Sequence, residues 1–217
     1  MSNHTATTKT KRVRFAPLVI ATSVAAAALL SVSMSGTLSG FVASITNSNN
    51  TAASGSLIME EKSTGTTPVT CLSTDGGSVS TNTATCSTIN KFGGSTTMVP
   101  GQTVSTAITI KNAGTVAANT FTLTPGAACT QGANGTPAGT ATDFCAKVNV
   151  LITSGSTTVY NGTAAALAGT AAKSLATAPV AAGTSTPFTI AVTLDNSAGN
   201  TYQNLSASLP LTWTFAS

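Results

Sequence analysis

The chain has 217 residues and a mass of 21.3 kDa, enough for one β-sandwich or barrel with a tail and too little for two full-sized domains. Charged residues are only 6% and threonine about one residue in five, so helix bundles, coiled coils and chemistry built from several His, Asp and Glu lack their raw material. The formal charge of +4 belongs to the N-terminus: Lys9, Lys11, Arg12 and Arg14 come before residue 15, and beyond them five lysines meet five acids, which leaves no clustered basic face for nucleic acid.

Residues 1–40 read as a signal peptide. A basic region ends at Arg14, an uncharged apolar stretch runs from Phe15 to Leu30, and small residues crowd Ser31 to Gly40. Cleavage is expected between about Ser35 and Ala43, near Phe41, and the only membrane contact is through the signal before it is cut. Residues 41–54 form an N-terminal extension, and residues 55–217 a single β-sandwich domain.

Four cysteines, Cys71, Cys86, Cys129 and Cys145, fit an exported, oxidised protein. They permit three connectivities. Local pairing, Cys71 with Cys86 and Cys129 with Cys145, is expected because each closes a loop rich in Gly, Thr and Asn that needs tethering.

Apolar and polar residues alternate through the rest of the chain, the period of half-buried strands. Val104, Thr106, Ile108 and Ile110 share a face; so do Phe121 and Leu123; so do Ala146, Val148, Val150 and Ile152. Phe188, Ile190, Val192 and Leu194 repeat the pattern, and one long run puts Leu205, Ala207, Leu209, Leu211, Trp213 and Phe215 together, with Leu209, Leu211, Trp213 and Phe215 as the core of the last strand. Pro210 places that strand at an edge or at a bulge. Asn112-Ala-Gly114, Thr124-Pro-Gly126, Asn134-Gly135, Asn161-Gly162 and Asn196-Ser-Ala-Gly199 are the turn signals between runs. Residues 162–182 are rich in Ala and predict a crossover with at most a short helix. The fold class that follows is all-β, an antiparallel β-sandwich.

Chemistry has few candidates. Glu60 and Glu61 are adjacent at a strand end, where neighbours point to opposite faces, so they read as solvated rather than as convergent carboxylates. Asp195 with Asn196 and Asn200 offers at most a weak calcium loop. Serines and threonines abound, but His4 is the sole histidine and lies in the signal, so no nucleophile has its base. No catalytic residue, cofactor site or metal site is expected, and the chain reads as a non-enzyme.

The order of three segments resembles the TasA/camelysin family. Gly36-Thr-Leu-Ser-Gly40 followed by Phe41 and the stretch to Leu57 is similar to that family's SipW-cognate signal junction. Val99-Pro-Gly-Gln-Thr103 leading to Ile108-Thr-Ile-Lys-Asn-Ala-Gly114 resembles its kPGd…itikNsG strand, and Asn200-Thr-Tyr-Gln-Asn204 leading to Leu211-Thr-Trp-Thr-Phe215 its N-x-Y-Q turn and last strand. The four cysteines and the low charge depart from the family and suggest a divergent branch. The resemblance implies a jelly-roll sandwich released by a dedicated signal peptidase. It also implies a homopolymer: extracellular fibres of the biofilm matrix, in which an N-terminal strand of one subunit completes the sheet of the next. Phe41, Val42, Ala43, Ser44, Ile45, Thr46 and Asn47 are the matching segment, with Phe41, Ala43, Ile45 and Asn47 on one face. Two rival readings remain: a monomeric cell-surface adhesin or ligand-binding module of the same fold, and the metalloendopeptidase label carried by camelysin relatives, for which this chain has poor ligands.

Overall fold

The computed structural model describes residues 45, 51–77 and 80–217. The chain divides into Met1–Ala52 and Ala53–Ser217, and every strand among the described residues belongs to the second unit. The signal peptide and the proposed strand-forming segment lie outside the described residues apart from Ile45, whose side chain is 93% exposed.

β-branched residues on a two-residue period build the larger layer. Its strands are β1 (Met59–Ser63), β2 (Thr70–Leu72), β3 (Thr103–Asn112), β6 (Val148–Ser154), β7 (Thr157–Thr163) and β9 (Ser185–Leu194), in the order β2-β1-β3-β9-β6-β7 and antiparallel throughout. In β3, Ile108 and Ile110 are buried while Thr103 and Ser105 face water; in β9, Phe188, Ile190, Val192 and Leu194 are all buried. Each face therefore follows the alternation in the sequence.

The second layer is an antiparallel ribbon with a break in it. β4 (Thr120–Pro125) pairs with β11 (Leu211–Ala216) and with the two-residue β8 (Lys173–Ser174); β5 (Thr130–Ala133) pairs with β10 (Leu205–Ser208). Leu211 faces Pro125 and Ser208 faces Thr130, so residues 126–129 stand opposite only 209–210. Pro210 has no N–H to give the ladder, but its carbonyl accepts from Gly126 N–H at 2.8 Å, and the ribbon kinks there. A Cβ on Gly126 would come within 2.9 Å of the Pro210 ring, which is why the close approach needs glycine. The run expected as one last strand is thus two strands in two small sheets, with Leu209 at the break.

The layers meet through aromatic rings. Phe121 of β4 stands edge-on to Phe188 of β9 at 5.8 Å between centroids, and Trp213 of β11 lies 4.6 Å from Phe188. Phe215 packs on Phe121 at 4.6 Å. Trp213 and Leu209 are buried; Leu211 and Phe215 are half-buried. This is the antiparallel β-sandwich that the alternation predicts.

Two further expectations are corrected. Ala146 does not share a strand face with Val148: residues Phe144–Ala146 form a 3-10 turn that leaves Ala146 exposed, because Cys145 is tied back to Cys129. Asn161-Gly162 is not a turn but part of β7; the β6–β7 turn is at Gly155, with φ +56°. Gly162 serves a different purpose, since a Cβ there would meet the Tyr160 hydroxyl at 2.6 Å, and that hydroxyl donates to the Thr163 carbonyl at 2.7 Å. The Ala-rich crossover holds the four-residue helix α1 (Ala164–Leu167), whose first turn is capped by Thr163 Oγ1 accepting from Ala166 N–H.

Candidate functional site

The larger layer is wider than the smaller one. β4 and β11 pack on β9 through Phe121, Trp213 and Phe188, while residues of β1 and β2 line the same space as those of β11. The result is a groove of about 1300 Å³, bounded on one side by residues 205–215 and on the other by β1, β2 and the loop carrying Ile89, Phe92 and Met98. Met59, Ile89 and Phe92 supply apolar floor, and all three pack on the core.

Main-chain direction along the groove follows from two bonds. Pro210 O is turned to Gly126 and Asn204 O to Asn134 N–H, so even-numbered residues face β4 and β5. Successive residues of a strand point their N–H and C=O groups to opposite sides. Leu205, Ala207, Leu209, Leu211, Trp213 and Phe215 therefore aim theirs into the groove, and among the described residues no main-chain partner meets them. Because Pro210 is an even position, its missing N–H interrupts the inner ladder and leaves the groove-facing row whole.

The other sheet edges are blunted in ways natural proteins use. β7 carries a bulge, with Val159 left over between the pairs Ile152–Tyr160 and Thr153–Thr158. β2 has three residues and is stapled by Cys71–Cys86; β8 has two and carries Lys173. β5 is backed by a loop held by Gln131, whose amide donates to Ala141 O and accepts from Phe144 N–H.

Among the described residues the groove has one charged point. Glu61, expected to be solvated, is buried: β1 turns it to the core face opposite Ile110, and Lys91 closes over it. Lys91 Nζ lies 2.9 Å from Oε1 and donates to Oε2 at 3.1 Å, with the two side chains 14% and 10% exposed. Both carboxylate oxygens are thus engaged by the one ammonium, whereas Trp213 Nε1 is buried without an acceptor. Both residues line the groove. Buried polar atoms left without partners cost about 1–3 kcal/mol each, so the groove wall carries unfilled hydrogen-bonding capacity.

The two disulfides join the partners expected, Cys71–Cys86 and Cys129–Cys145. The first ties β2 to the loop that makes the far wall of the groove, and both of its cysteines line the groove. The second fastens the ribbon kink to the turn before β6. Bridged cysteines belong to an oxidising compartment, and no helix among the described residues is long and apolar enough to cross a membrane.

Asp195 and Asn200 spend side-chain oxygens on hydrogen bonds within the chain. The Asp195 carboxylate accepts from both the N–H and the hydroxyl of Ser197, whose hydroxyl also takes a bond from Lys147 Nζ at 2.8 Å. These two Ser197 bonds, more than the nearby Lys147 charge, hold the Asp195 carboxyl below its ordinary range. Asn200 Oδ1 accepts from Gln203. Beside them Tyr202 donates to Asp143 at 2.8 Å, a bond that raises the tyrosine pKa. Among the described residues no three His, Cys, Asp or Glu side chains gather.

The groove wall at Ile89, Phe92 and Met98 was not visible as alternation, because it sits in an irregular loop. Its signal is cruder: large apolar residues inside a Gly/Ser/Thr stretch directly after Cys86. Compared with known proteins, the chain matches no family model and no curated sequence.

Proposed function

We propose that this chain is a secreted structural subunit that polymerises head to tail, with residues 41–47 of one copy entering the groove beside β11 of the next. The observation that carries the reading is the groove-facing row of main-chain groups from Leu205 to Phe215, left open among the described residues, whose other sheet edges are blunted. An extended peptide laid along such an edge gains main-chain hydrogen bonds, and its alternate side chains fill the floor. The space exceeds the roughly 300–1,000 Å³ of ordinary small-molecule sites, which favours a chain segment as occupant. The segment Phe-Val-Ala-Ser-Ile-Thr-Asn is uncharged, as is the groove once Lys91 neutralises Glu61. Ile45 stands almost wholly exposed, an apolar side chain with burial still to gain. A head-to-tail contact of this kind does not close on itself and so builds filaments.

The resemblance to TasA/camelysin proteins supports the same reading and adds the biofilm matrix as its setting. Near-zero charge after the signal removes the self-repulsion that would keep copies apart. No enzymatic activity is part of the proposal, because the carboxylates near the groove are held by Lys91, Ser197 and Tyr202 rather than gathered around a reacting atom.

Sedimentation and electron microscopy of the secreted protein, of a form lacking residues 41–47 and of Ile45→Asp at one concentration test this. Filaments are expected from the first alone. Filaments from the truncated form would overturn strand donation by this segment. A secreted protein that stays monomeric under all conditions would favour the adhesin.

A further inference from the structure

We propose that the Glu61–Lys91 pair sets the register of the incoming strand by binding the carboxamide of Asn47; this rests on the strand-donation reading above. Among the described residues the groove offers apolar surface at Met59, Ile89 and Phe92 and a single charged point, the pair itself. The strand offers a matching pattern: Phe41, Ala43 and Ile45 on one face, then Asn47 on the same face. Placing the three apolar side chains on the floor leaves one polar side chain to be matched, and the pair offers it a charged acceptor and a charged donor together.

The chemistry selects an amide in particular. Glu61 and Lys91 already cancel in charge, so a charged newcomer would leave one buried charge uncompensated. Glu61 is buried with both oxygens on the one ammonium, which leaves lone pairs on the carboxylate and N–H groups on Lys91 with capacity to spare. A carboxamide supplies both complements, N–H to the carboxylate and C=O to the ammonium. Strand pairing alone would tolerate a slip of two residues, because the same face would still meet the floor. A fixed polar point penalises that slip, since it would bring Ile45 against the ion pair.

The test uses the secreted Ile45→Asp protein, whose own segment no longer competes, and synthetic peptides covering residues 41–54. Affinities are compared for the native peptide and for its Asn47→Ala, Asn47→Leu and Asn47→Asp forms. Loss of a matched buried hydrogen bond should weaken the Ala and Leu peptides about tenfold to hundredfold, with Asp weakest of all. In a protein carrying Glu61→Gln alone the penalty for Asp should shrink, because its carboxylate then supplies the counter-charge that Lys91 has lost, an interaction a merely structural role for the pair would not produce. Native and substituted peptides binding within twofold of one another would overturn the register claim while leaving strand donation intact. No binding of the native peptide would overturn both. If the Glu61→Gln protein does not fold, the peptide series on the unaltered groove decides alone.

Discussion

Lys91 and Glu61 pack into an apolar wall because each supplies the charge the other needs there. Removing only the cation strands a carboxylate, and breaking a buried pair in this way costs about 3–5 kcal/mol, whereas replacing both partners by apolar residues of similar size is often neutral. Lys91→Met should therefore lower the denaturant midpoint sharply, and adding Glu61→Leu should recover most of the loss. A double substitution as unstable as the single one would mean that the pair does more for the fold than neutralise itself. Trp213 makes a different contribution. Its ring lies 4.6 Å from Phe188 and 6.2 Å from Phe121, so it joins the two layers. Trp213→Ala should cost about 3–5 kcal/mol, as truncation of large aromatic core residues does. A loss below about 1 kcal/mol in equilibrium unfolding would place the ring outside the core.

The elements show how far local pattern reaches. β3, β4 and β9 were legible because their alternation is unbroken and each buries one face. β10 and β11 read as one strand because Leu205 to Phe215 keep phase across Pro210: the proline breaks the inner ladder without shifting which side chains face inward. β7 was hidden by Asn161-Gly162, a pair that signals a turn in isolation; here the glycine makes room for the Tyr160 ring. Glu61 was misplaced because nothing in a strand end announces that a loop lysine thirty residues away will cover it. Cysteine spacing was more informative, since both bridges are local. Each closes a loop of similar size, 15 and 16 residues apart. Chain entropy makes each worth about 3 kcal/mol, so Cys71→Ser with Cys86→Ser and Cys129→Ser with Cys145→Ser should lower stability by comparable amounts. Only the first pair should also loosen the groove wall, seen as faster amide exchange at Ile89 and Phe92. Equal exchange there in both variants would show that the wall holds without its staple.

At the scale of the whole molecule, the sandwich is asymmetric: a wide sheet, a narrower ribbon, and a main-chain row facing the gap between them. Burial and cross-layer packing account for the fold, while the open row accounts for the assembly proposed for it. Amide hydrogen exchange at Leu211, Trp213 and Phe215 tests that claim most directly, because their N–H groups are the ones that point into the groove. In assembled secreted protein these amides should become as slow to exchange as those paired between β3 and β9, and in Ile45→Asp they should remain fast. Filaments in which Leu211, Trp213 and Phe215 exchange as quickly as in the unassembled chain would contradict the account.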